Sequence, residues 1–170
     1  KVFKGALIYG ITIGVIFGML AFFGADWISV KIYKLPQVAI PLRILAPTLT
    51  VACVLGVLRG YFQGMGNMIP TSVSQIFEQI VNAVVSVIAA YELGAYGYSL
   101  SKMADESETF RASYSAAGGT LGTLCGAVTA LIIMIIILYR HFGSINSNIR
   151  KDITKSVDSY GTITKVIVFT

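Results

Sequence analysis

Four long, mainly apolar runs, at about 6–30, 44–62, 73–93 and 116–138, decide most of what this chain can become. Each is close to the ~20 residues that a helix needs to cross a bilayer. Lipid offers no water to unpaired backbone groups, so segments that cross it close their hydrogen bonds internally as helices. The strict alternation of a membrane β-barrel is absent. The expected fold is therefore all-α, a polytopic transmembrane helix bundle.

Composition supports this and excludes other classes. Of the 170 residues, 55% are hydrophobic and 12% charged, where a soluble domain carries about a quarter charged. The net charge of +5 comes without a basic stripe interleaved with aromatics. Nucleic acid is therefore not an expected partner, and connections facing anionic lipid account for the excess. Cys53 and Cys125 lie inside apolar runs and read as small hydrophobes. With His141 the lone histidine, neither a metal nor a cofactor is expected. The start at Lys1 and the apolar ending "TKVIVFT" read as an internal piece of a longer protein, with no cleavable signal.

The expected organisation is four spans within 1–139, a basic amphipathic cytoplasmic linker at 140–162, and the start of a further span at 163–170. In the linker, Ile145, Ile149, Ile153, Val157 and Tyr160 fall on one helical face, with Arg150, Lys151 and Lys155 off it. That pattern suits a helix lying on the membrane surface, although a solvated linker fits it too. Between spans three and four, Gly94 to Ser115 reads as a long connection holding Asp105, Glu106 and Glu108. Placing the N-terminus inside puts eight of the 13 Lys and Arg residues on the cytoplasmic side and five outside, the usual direction of bias.

Small residues recur every four positions in three spans: Gly10, Gly14 and Gly18; Ala52, Gly56, Gly60 and Gly64; and Gly118, Gly122 and Gly126. Such series let helix backbones approach closely, so helix packing is their expected role. A sliding or bending role is the alternative.

Polar residues within the spans carry the functional signal. Gln75, Glu78, Gln79, Asn82 and Ser86 form a stripe along span three. Polar groups are costly in lipid, so the stripe faces either a hydrophilic lumen or a dry interhelical seam. Beside it, "LRGYFQGMGNMIP" ends span two with Arg59 and Gln63, then turns at Gly66 and Asn67. In an antiparallel hairpin Arg59 and Glu78 lie seven and twelve residues from Gly66, an offset of roughly 7 Å of helix rise. Arg59 then has three roles open to it: snorkelling to headgroups, pairing with Glu78, or touching substrate. The candidate cavity residues are Arg59, Gln63, Gln75, Glu78, Gln79 and Asn82.

The stretch "LRILAP…VLRGYFQGMGNMIPTSVSQIFEQIVNAVVSV", followed by "AAGGTLGTLCGAVTAL", resembles the polysaccharide-biosynthesis/stage V sporulation protein B branch of the multidrug/oligosaccharidyl-lipid/polysaccharide exporter superfamily. Lipid II flippase-like proteins belong to the same branch. The resemblance covers about Pro41 to Tyr139. It implies a transporter of two six-helix halves around a central cavity, with this chain supplying helices three to six of the first half. The implied activity is alternating-access translocation of a lipid-linked oligosaccharide or peptidoglycan precursor, without covalent chemistry. Its partners would be that precursor, membrane lipids and a coupling ion, in the bacterial cytoplasmic membrane. The alternative is a sodium- or proton-coupled exporter of small molecules from the same superfamily, with Glu78 as coupling carboxylate. A membrane enzyme is disfavoured because Glu78 is the one acid well inside a span.

Overall fold

A computed structural model describes residues 2–101 and 107–149. Four long helices carry nearly all of them: α1 (Val2–Lys31), α2 (Ala39–Gly64), α3 (Ile69–Ser101) and α4 (Ser107–Ile149). All four are long and apolar enough to cross a membrane, and no strand occurs among the described residues. The chain folds as the all-α membrane bundle that its apolar runs imply.

The connections follow from local chemistry. After α1, Lys34 takes φ 55, and Leu35 is extended ahead of Pro36, as a residue preceding proline prefers. Pro36 then opens a short 3-10 turn (Pro36–Val38) leading into α2. The α2–α3 turn closes with a Schellman arrangement. The amide of Gly66 donates to the Gln63 carbonyl at 2.9 Å, and that of Asn67 donates to the Phe62 carbonyl at 3.1 Å. Gly66 sits at φ 75, where a side chain would be strained. Asn67 Oδ1 accepts from the Ile69 amide at 3.2 Å and caps α3.

In space the helices follow the order α1, α2, α4, α3, each packing on the next. The second and third spans are thus not a close hairpin. α4 packs against both, and α3 meets α2 only sparsely. Leu55, Leu58 and Phe62 of α2 meet Ala130 and Met134 of α4 in the buried apolar core.

Two seams of small residues hold the outer pairs. On α1, a Cβ at Gly10 would lie 2.7 Å from a Val57 methyl, and one at Gly18 would lie 2.8 Å from Thr50 Oγ1. Thr50 Oγ1 donates to the Gly14 carbonyl across this seam at 2.9 Å. On α4, a Cβ at Gly118 would strike the backbone of Ala89 and Ala90, and one at Gly122 would strike Ser86. At Gly126 it would lie 2.8 Å from the Glu78 carbonyl oxygen.

Three expectations change. Among the described residues Gly56 and Gly60 pack against no other helix, since a Cβ at either meets nothing within 4 Å. α4 uses the neighbouring apolar face of α2 instead. The connection expected at Gly94 to Ser115 is largely helical, because α3 continues to Ser101 and α4 begins at Ser107. The reason is that the seam continues there: Gly94 lies against Ser115, and Gly97 against Tyr114. α4 also runs past Arg140 to Ile149, since nothing from Arg140 to Ile149 forces a stop. The remainder of the expected linker and the further span after 163 lie outside the described residues.

These contacts give opposite outcomes for two similar substitutions. Gly122→Ala forces α3 and α4 apart and is expected to cost about 1–3 kcal/mol. Gly56→Ala meets open space in these four helices and is expected to leave stability unchanged or raise it by up to about 1 kcal/mol through helix propensity. Thermal unfolding of the purified protein in detergent checks both.

Candidate functional site

α2 and α3 diverge from the Gly66 turn, and a charged pair spans the gap between them. Arg59 Nη2 donates to Glu78 Oε2 at 2.5 Å, with 18% and 21% of the two side chains exposed. The register offset between the two residues is covered by the length of the arginine side chain. Arg59 Nε donates to Ser74 Oγ at 3.2 Å, and Ser74 in turn donates to the Thr71 carbonyl at 2.8 Å. Ser74 is fully buried. Of the three roles open to Arg59, this conformation takes the pair with Glu78.

Ser74 was not among the candidates from sequence. Its signal was there, because it stands four residues before Glu78 and so shares its helical face. Thr71, another turn earlier, is also buried, and its Oγ1 has no hydrogen-bond partner among the described residues.

The polar stripe of α3 divides into three parts. Glu78 turns to α2 through Arg59. Asn82 and Ser86 are half-buried against the α4 glycines, where the Ser86 hydroxyl lies 2.8 Å from Asn82 Oδ1 and 3.2 Å from the Gly119 carbonyl oxygen. This stretch is an interhelical seam. Gln75 and Gln79 are exposed, as is Gln63, one turn beyond Arg59 on α2. A stripe read on an ideal wheel spans a wide arc, and here that arc meets two different neighbours.

Arginine carries five N–H donors. Two are engaged here, so the guanidinium keeps donors for a phosphate or carboxylate. Among the described residues no cluster of three or more His, Cys, Asp or Glu could hold a metal ion. At the other end of α1 and α2, Arg43 pairs with Asp26 at 2.6 Å, with 48% and 61% exposed. Such an open pair contributes little, about 0–1 kcal/mol.

The family model for polysaccharide biosynthesis proteins matches residues 1–164. The chain belongs to that family. Stage V sporulation protein B of Bacillus subtilis (strain 168) is 27% identical over 137 residues, covering 78% of this chain. The match covers 24% of that relative, so the chain spans about a quarter of its length. No solved structure gives a significant match. With its four membrane-length helices, this family member is a multi-pass bacterial membrane protein.

The partly buried pair predicts a non-additive pattern. Arg59→Gln and Glu78→Gln each strand a charge between the helices, whereas the double substitution strands none. The double variant is expected to be more stable than the sum of the singles implies, with a coupling of about 1–3 kcal/mol. A double-mutant cycle on thermal unfolding measures it.

Proposed function

We propose that the protein carrying this chain is a flippase. It moves a lipid-linked oligosaccharide or peptidoglycan precursor across the cytoplasmic membrane by alternating access, with these four helices in the first half of the transporter. The headgroup of such a lipid must exchange water for polar groups while its tail stays in lipid. No covalent step is required.

The observation that carries the reading is the Arg59–Glu78 pair, set between two diverging membrane-length helices in a member of this family. A phosphate entering between α2 and α3 competes with Glu78 for the guanidinium, which is well suited to phosphate oxygens. Headgroup binding would then release the clasp between the helices, giving the differential contact that a shift between two states needs. Gln63, Gln75 and Gln79 are exposed near this pair along the chain and supply neutral hydrogen-bonding groups for a glycan.

The ion-coupled exporter is the second reading, with Glu78 binding sodium or a proton. In this conformation Arg59 already neutralises that carboxylate, which favours the flippase.

The test uses the complete protein in cells whose own lipid II flippase can be depleted. Lipid-linked precursor is expected to reach the outer leaflet again. Arg59→Ala is expected to lower that flux about tenfold or more, the scale of a lost charged hydrogen bond. Glu78→Gln is expected to retain more of it, since the guanidinium remains. Normal membrane expression without rescue would sink the peptidoglycan-precursor form of the proposal. Loss of sodium- or proton-dependent export in Glu78→Gln, with Arg59→Ala unaffected, would establish the second reading.

A further inference from the structure

The end of the bundle away from the Gly66 turn holds a recess that the Arg59 site does not use. It lies between the last turns of α3 and the first turns of α4, with a volume of about 460 Å³. Tyr91, Gly94 and Tyr98 line it from α3, and Arg111 and Ser115 line it from α4. The helices stay close at Gly94, where a Cβ would strike Ser115 Oγ. The wall is therefore narrow backbone on one side, with bulky tyrosines and an arginine around it.

Its height matches a membrane interface. From the start of α3 to Tyr91 is 22 residues, about 33 Å of helix against a hydrocarbon core of about 30 Å. Tyrosines concentrate at that level because their rings are apolar and their hydroxyls polar. Glu92, the first charged residue on α3 after Glu78, stands at the same depth.

The chemistry of the recess favours an anion. Arg111 is exposed, and its guanidinium carbon stands 5.9 Å from the Tyr98 ring centroid. A guanidinium held over a ring face is attracted to it and can still donate from its N–H groups. Arg111 also lies in the opening turns of α4, where the helix dipole adds positive potential. An arginine that only snorkels to headgroups needs no recess around it.

We propose that this recess binds the phosphate of a membrane lipid, with Arg111 donating to the phosphate oxygens and Tyr91 and Tyr98 flanking the headgroup. The site is independent of the Arg59 reading. The source of the phosphate is either a bulk anionic phospholipid or a polyprenyl carrier.

Native mass spectrometry of the complete protein in mild detergent tests it. The protein is equilibrated separately with phosphatidylglycerol, a polyprenyl monophosphate, inorganic phosphate and diacylglycerol. One or both phosphorylated lipids are expected to be retained over diacylglycerol, and whichever is retained names the source. Arg111→Gln is expected to lower that retention about tenfold, with Arg111→Lys intermediate. Ala95→Trp, which fills the recess while sparing Arg111, is expected to lower it similarly. Equal retention of diacylglycerol, capture of inorganic phosphate alone, or retention unchanged in both Arg111→Gln and Ala95→Trp would overturn the proposal.

Discussion

Helices in a membrane gain little from burying leucine against leucine, because the lipid they leave is equally apolar. What brings them together is close backbone approach, and this bundle achieves it along two seams. α1 lays Gly10, Gly14 and Gly18 against α2, and α4 lays Gly118, Gly122 and Gly126 against α3. The Thr50 bond to the Gly14 carbonyl and the Ser86 contact with the Gly119 carbonyl cross these seams. Each is possible only where the partner helix lacks side chains.

The seams also decide what is left for the polar site. With α3 bound along α4, it stands off from α2 beyond the Gly66 turn, and the pair between Arg59 and Glu78 crosses the opening. Glu78 joins both features: its carbonyl lies against Gly126 while its carboxylate meets Arg59. Movement of α3 along α4 would therefore alter the charged pair directly. This joins the packing of the bundle to the proposed transport step through one residue.

Much of the fold was legible in the chain. Apolar runs of bilayer length force helices, and the Gly66–Asn67 turn follows from one positive φ and one cap. The glycine series on α1 and α4 announced close contacts that are present. The connection from Gly94 to Ser115 was misread because hydropathy falls there, yet the small-residue seam continues through Gly94 and Gly97 and keeps both segments helical. The site was legible only in part. Arg59 and Glu78 stood out from their cost in lipid, while Ser74, on the same helical face four residues before Glu78, escaped because the stripe was read from Gln75 onward.

The sequence by itself determined that this is a membrane helix bundle, that the chain turns at Gly66 and Asn67, and which residues are too polar to face lipid. Those properties depend on local hydrogen bonding and on transfer from water to lipid, and both act residue by residue. Only the tertiary structure decided that α4 lies between α2 and α3, that Asn82 and Ser86 pack into a seam, and that Gly56 and Gly60 meet no neighbour among the described residues. Those outcomes depend on which helix fills which groove. A small-residue stripe states that a backbone can approach, and it does not say whose.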